Sequence, residues 1–396
     1  MNSSSSEFYP ILPWDPQHGW DGSVQTRRQG LASIAEGHFG LAGFVSSDDL
    51  QLCEQLGLGA ILYDYALNPN HLKWNDLSEQ QIDQIVRKWV DEAGDNPAVY
   101  GYYLKDEPGA NEFPGLARAV AAVAQYAPGK IAYINLFPNY ATLGAHDLSQ
   151  LQTATYEEYL DRFCSEVHPA FISYDNYQVQ FSMDLQDAKH VASYFSNLLQ
   201  VRAAAHKYNL PWRQIVSSNQ IRPHTTIPSP ANLSLQAYTS LAAGASSVDW
   251  YTYYQGSYAY APIDGHDERT QTWYYLAEVN RQLKLVGPQI NKLRSLAIYL
   301  HNYEMLGYTA LPLEMRELID STEPLVLGMF GGQDGLRYGM IVNLSLSHSA
   351  RITIKVPMAE GRLEQFSPVT GRFTLYSATQ PLWLVAGQGI LLRARW

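Results

Sequence analysis

The stretch Val99-Tyr-Gly-Tyr-Tyr-Leu-Lys-Asp-Glu-Pro108 decides the fold. Val, Tyr and Leu suit a pleated, buried surface, so the run predicts a strand. Pro108, with no N–H to give to a ladder, ends it. Asp106 and Glu107 then stand at the strand's C-terminal tip, the end at which parallel α/β folds bind their ligands.

Working outward, Phe8–Trp14, His38–Val45 and Gly59–Asp64 are further strand-like runs on the N-terminal side. Lys130–Phe137, Ala170–Asp175, Arg213–Asn219 and Ser247–Tyr254 follow on the C-terminal side. Helical segments separate them: Gly30–Glu36, Leu50–Leu56 behind the cap Ser47-Asp48-Asp49, and a helix from the capping box Ser78-Glu-Gln-Gln81 to about Glu92. Phe113–Tyr126, Tyr156–Val167, Ala188–Tyr208, Asn232–Ala243 and Gln271–Leu285 continue the series. Eight strands alternating with helices predict a (β/α)8 TIM barrel over residues 1–290. A doubly wound open sheet would leave strands over, and no Gly-rich nucleotide turn follows the first strand.

Gly287-Pro288 breaks the alternation, and from about Leu296 strands and turns replace helices. Leu325–Phe330 and Leu336–Asn343 flank the turn Gly331-Gly-Gln-Asp-Gly335, and Arg351–Val356, Arg362–Phe366 and Gly389–Ala394 follow. This predicts a small β-sandwich over residues 291–396. The length of 396 residues accommodates a barrel of about 250 residues plus such a module.

Composition narrows the ligand. Charged residues are only 16% of the chain, against 28 Tyr and 9 Trp, a balance suited to stacking on uncharged, hydroxyl-rich molecules. The formal net charge of −11 argues against nucleic acid or an anionic membrane surface as partner. No apolar run reaches the roughly 20 residues of a bilayer span. Met1–Ser6 lacks the basic and apolar regions of a signal peptide, which leaves the compartment open. Cys53 and Cys164 lie in helical segments and read as buried thiols.

The strand tips form the candidate site. Trp14 and Asp15, Asp64, Asp106 and Glu107, Asn135, Asp175, Asn219 and Gln220, then Trp250, Tyr251 and Tyr253 make it acidic, amide-bearing and aromatic together. Tyr177, just past Asp175, adds a further ring. A metal-ligand spacing, a Ser-His-Asp arrangement and a phosphate cradle are all missing, so neither cofactor nor metal is expected. Carboxylates that move protons, amides that bind hydroxyls and rings that stack describe a carbohydrate site and hydrolysis of a glycosidic bond. Glu107 is the candidate proton donor, with a like-charged neighbour in Asp106 to raise its pKa. Asp175 is its candidate partner, as nucleophile or as base for water, and Asp249 is a weaker alternative. The other residues are candidate sugar ligands, with holding the Trp14–Trp20 loop as the alternative role of Asp15. Alternation along the last strand lets only about half of its rings face inward.

The strand-four carboxylate, Ile134-Asn-Leu-Phe-Pro138, Ser173-Tyr-Asp-Asn-Tyr177, the run 233–254 and the closing run 382–396 together carry a resemblance. The chain resembles (β/α)8 glycoside hydrolases related to the large retaining clan of β-galactosidases, β-glucosidases and cellulases. In that clan the acid/base is a Glu following an Asn at the tip of strand four, and the nucleophile is a Glu at the tip of strand seven. Glu107 matches the first position, with Asp106 in place of the Asn. The second is missing, because strand seven ends in Ser217-Ser218-Asn219-Gln220 with no carboxylate before Arg222-Pro223-His224. The expected function is therefore a glycoside hydrolase acting on an oligo- or polysaccharide. A catalytically silent carbohydrate-binding barrel is the alternative.

Overall fold

A computed structural model describes residues 8–144, 149–305, 307–355, 362–377 and 380–395. The Met1–Ser6 arm and the strand end at Val356 lie outside the described residues.

Strands β1 (Leu41–Val45), β2 (Gly59–Leu62), β3 (Val99–Asp106) and β4 (Ile131–Asn135) form one parallel sheet in that order. Strands β5 (Ile172–Asp175), β6 (Trp212–Ser217) and β7 (Ser247–Tyr251) form a second. A parallel bridge between Leu136 and Tyr174 links β4 to β5. On the opposite side, the Ile11 carbonyl accepts from the Gly40 and Leu41 N–H groups, while Trp14 donates to the Trp250 carbonyl. The first expected strand is thus an extended segment hydrogen-bonded to both sheets rather than a regular ladder. Pro10 and Pro13 remove two of the donors a ladder would need.

Helices alternate with these strands as expected: α1 (Leu31–Glu36), α2 (Leu50–Leu56), α3 (Glu79–Ala93), α4 (Phe113–Tyr126), α5 (Tyr156–Arg162), α6 (Ala188–Tyr208), α7 (Pro230–Ala243) and α8 (Gln271–Ile290). Several boundaries differ from the sequence reading, and three bear on the packing or the site. The helix from Tyr156 loosens into a π-helical turn at Phe163–Val167. The helix α8 runs through Gly287-Pro288 to Ile290 although Pro288 gives up an i−4 hydrogen bond, and Gly287 packs directly on the Tyr9 ring. The last parallel strand stops at Tyr251, since the Tyr253 and Tyr254 N–H groups donate to the Asp15 carboxylate instead of a neighbouring strand.

An inner cluster takes Leu12 and Trp14 from the first segment, Phe44, Ile61, Tyr103 and Tyr133 from β1 to β4, and Ile215 from β6. Beside it, Arg213 and Asp249 form a buried ion pair at 3.0 Å. The Asp249 carboxylate also accepts from Leu12 N at 2.8 Å and from the Tyr133 hydroxyl at 3.2 Å. Asp249 therefore belongs to the scaffold. Cys53 and Cys164 are buried free thiols, as read from the sequence. Among the described residues, no helix is long and apolar enough to cross a membrane.

From Leu293, three residues earlier than expected, the chain forms a seven-stranded and a three-stranded sheet. Leu325, Leu327, Ile341, Ile352, Leu384 and Leu392 form an apolar cluster contributed by both. The larger sheet presses on α7: Gly328 meets the Ala242 backbone and Gly389 meets the Tyr238 ring, so a side chain at either would collide.

Replacing Asp249 with Asn should leave the buried Arg213 guanidinium without a carboxylate. Denaturant unfolding is expected to register a loss of about 3–5 kcal/mol; an unchanged midpoint would show that the pair contributes nothing.

Candidate active site

At the C-terminal ends of the parallel strands lies a cavity of ≈ 290 Å³. Its lining includes the polar and acidic Asp106, Glu107, Asn135 and Asp175 together with Trp14, Tyr177, Tyr251, Tyr258 and Arg222.

Each acidic side chain is placed by its strand tip. Asp106 ends β3 opposite Asn135, and its N–H donates to Asn70 Oδ1 at 2.9 Å. The next residue leaves the strand abruptly: Glu107 has φ 47°, in the left-handed region, and its N–H donates to the Asn135 carbonyl at 2.9 Å. A non-glycine residue there carries strain that the surroundings must hold in place. The Pro108 carbonyl, fixed by the Tyr159 hydroxyl at 2.7 Å, is part of that hold.

Asn135 organises the acids. Its Nδ2 donates to Asp106 Oδ1 and to Asp175 Oδ1, both at 3.0 Å, and its Oδ1 accepts from Ser173 Oγ at 2.9 Å. Burial raises the Asp106 pKa to about 6, against the lowering effects of the Asn135 hydrogen bond and the Lys105 charge. Glu107 and Asp175 both line the cavity and act on each other's ionisation. The Glu107 pKa is pushed well up by burial first and then by the Asp175 and Asp106 charges. Asp175 is also raised by burial and by Asp106, but its hydrogen bonds from Asn135 and Glu107 pull the other way. Both carboxyls are thus pushed above the ordinary carboxylate range, Glu107 under the added charges of Asp175 and Asp106.

The aromatic side is equally ordered. Tyr177 and Tyr251 stack at 5.2 Å and 23° between planes. Tyr251 also meets the Tyr258 hydroxyl at 2.8 Å, so the loop after β7 reaches the cavity through Tyr258. Tyr260, from the same loop, is exposed.

Of the residues read from the sequence, Glu107, Asp175, Asp106, Asn135, Trp14, Tyr177 and Tyr251 meet in this cavity. The others do not line it. Asp15 receives the Tyr253 and Tyr254 N–H groups at 2.7 and 3.1 Å, and burial raises its pKa to about 7. Asp64 accepts from Lys88 at 2.8 Å and from Trp89 Nε1 at 2.9 Å. Despite burial, hydrogen bonds from Lys88, the Leu67 backbone and Trp89 lower its pKa. Asn219 is buried against Thr252 Oγ1, and Gln220 closes its own loop on the Thr225 carbonyl. Trp250 and Tyr253 point outward: Trp250 Nε1 donates to Asn280, and the Tyr253 hydroxyl meets Ser33 and Trp273. Alternation along β7 separates Trp250 from Tyr251, whereas Tyr253 lies past the strand's end, where Asp15 holds its N–H. Tyr140, Gln178, Phe181, Ile221 and Arg222 line the cavity without having been read as ligands. All lie on loops beyond the tips, where periodicity carries no signal; only their closeness in sequence to Asn135, Asp175 and Asn219 pointed to them.

No protein-family model and no curated protein sequence matches the chain. Solved structures do match in fold. A catalytic mutant of Gan42B, a GH42 beta-galactosidase from G. stearothermophilus, superposes with a TM-score of 0.66 at 9% identity, over 99% of each chain. A glycoside hydrolase family 5 protein from Bacteroides vulgatus gives 0.58 at 10% identity, over 98% of this chain and 89% of that one. A beta-galactosidase from the psychrophilic Marinomonas ef1 gives 0.52 at 10%, over 73% and 63%. The chain thus resembles, in fold, glycoside hydrolases of the TIM-barrel clan anticipated from the sequence.

The raised acids carry a stability signature. Unfolded carboxyls ionise near pH 4, whereas the folded pair keeps a proton to higher pH, so folding binds protons in between and stability falls as pH rises through that window. Glu107→Gln has no such proton to lose. Its Tm relative to the parent should therefore rise from pH 4 to pH 8; a difference independent of pH would contradict the raised Glu107 pKa.

Proposed function

We propose that the eight parallel segments of residues 1–290 close into a (β/α)8 barrel, that residues 291–396 form a supporting β-sandwich, and that the protein hydrolyses a glycosidic bond in an oligo- or polysaccharide. The observation that carries this reading is that Glu107, Asp106 and Asp175 meet in one cavity with the stacked Tyr177 and Tyr251, where burial and the acidic neighbours raise the Glu107 pKa. A general acid must hold its proton at working pH, and burial beside two other carboxyls gives Glu107 that property. Fold similarity to glycoside hydrolases supports the class by analogy.

In the proposed reaction a sugar ring stacks on Tyr177 and Tyr251. The glycosidic oxygen accepts a hydrogen bond from Glu107. Glu107 then protonates that oxygen as the bond to the anomeric carbon breaks. Asp175, as a carboxylate, serves as nucleophile or as base for water. A carboxyl separation of about 5–5.5 Å suits the first and about 6.5–9.5 Å the second. No cofactor enters these steps.

A second reading, a carbohydrate-binding barrel without turnover, is favoured by the amide-bearing tip of β6. A panel of aryl glycosides separates the two readings. Hydrolysis that falls about 10²–10⁴-fold in Glu107→Gln supports the enzyme. Sugar binding without turnover by the parent selects the silent barrel. The pH profile is a further check: Asp175→Asn removes a charge that raises the Glu107 pKa, so the alkaline limb of any residual activity should move to lower pH.

A further inference from the structure

The tip of β6 is where the resembling clan keeps its second carboxylate, and this chain uses the position differently. Asn219, Gln180 and Gln220 knit the loop that follows. Gln180 Nε2 donates to the Asn219 carbonyl at 2.6 Å, Ile221 N donates to Gln180 Oε1 at 3.3 Å, and Gln220 Nε2 donates to the Thr225 carbonyl at 2.8 Å. The Arg222 backbone is fixed at both ends by Thr225: its N–H donates to Thr225 Oγ1 at 3.2 Å, and its carbonyl accepts from the Thr225 N–H at 2.9 Å.

The side chain on this rigid loop is left available. Arg222 lines the cavity, and among the described residues it takes part in no ion pair; its guanidinium makes only a 3.4 Å hydrogen bond to the Ile221 carbonyl. By contrast, Lys105, whose charge acts on Asp106, is paired with Glu112 at 2.9 Å. An exposed guanidinium with no acidic partner among the described residues, in a chain of net charge −11, is a planar fork able to recognise carboxylate or sulfate oxygens in two parallel hydrogen bonds. It also offsets the repulsion that an anionic group would meet beside Asp106 and Asp175.

We infer that Arg222 forms an anion subsite, and that the preferred substrates are glycans bearing a carboxylate or sulfate, as in uronic acid or sulfated sugar units. The inference rests on the cavity being a sugar site. It adds a charge preference that the hydrolase reading does not require.

The test uses the full chain with matched aryl glycosides: neutral hexosides, the corresponding uronides, and the corresponding 6-sulfates. Calorimetric binding of the matching free sugars runs in parallel. The acidic members should exceed the neutral ones in kcat/KM or affinity by about tenfold or more, and Arg222→Met should collapse that ratio. Preference for uronides alone identifies carboxylate as the ligand, and preference for 6-sulfates alone identifies sulfate. Neutral members that equal or exceed the acidic ones, or an acidic-to-neutral ratio unaltered by Arg222→Met, overturn the proposal while leaving glycoside hydrolysis standing. If nothing is hydrolysed, the hydrolase reading fails and the binding ratio alone decides the subsite. A thermal unfolding curve of Arg222→Met matching the parent excludes misfolding as the cause.

Discussion

The Asn135 side chain gives both of its amide protons to carboxylates, one to Asp106 and one to Asp175, and the candidate site depends on that bridge. Its remaining polar atom accepts from Ser173, whose hydroxyl lies 3.0 Å from that of Tyr133, and Tyr133 reaches the Asp249–Arg213 pair. A continuous polar chain therefore runs from the strand interior to the acids at the tips. Every link is a buried group that would be costly to leave unpaired, so the positions of the acids are set by the packing of the strands beneath them. Burial, and then the Asp175 and Asp106 carboxyls beside it, raise the proton affinity of Glu107.

Much of this was legible in the sequence because it is periodic. A buried parallel strand is a short apolar run, and the residue at which the run stops is the residue at the tip; Asp106, Asn135 and Asp175 were found that way. What side chains do past the tip follows no period. Asp64 ends its run as convincingly as Asp175, yet Lys88 and Trp89 on the next helix claim it, and a contact between separate elements leaves no mark in either segment alone. The same holds for Asn219, taken by Thr252, and for Asp15, which replaces a strand partner for the Tyr253 and Tyr254 amides. Arg222 was passed over because an exposed loop arginine usually meets only water; its position matters through the amide scaffold beneath it.

Likeness in fold to Gan42B at 9% identity, over nearly the full length of both chains, shows how little of the sequence the architecture needs. Apolar and polar patterning is enough to keep the strands and helices, while the tips and loops are free to change chemistry. In this chain the seventh tip is the departure: amides occupy it, and the acids cluster on the β3 to β5 side.

The helix α7 is buried along its whole length from Asn232 to Ala243, with the parallel strands on one flank and the C-terminal sheet on the other. An outer barrel helix ordinarily shows a polar stripe to water, and this one has no such face. The C-terminal sheet therefore serves as the missing solvent boundary of the first 290 residues. Exchanging that sheet for a foreign module would therefore lay α7 bare unless the helix surface were rewritten with it.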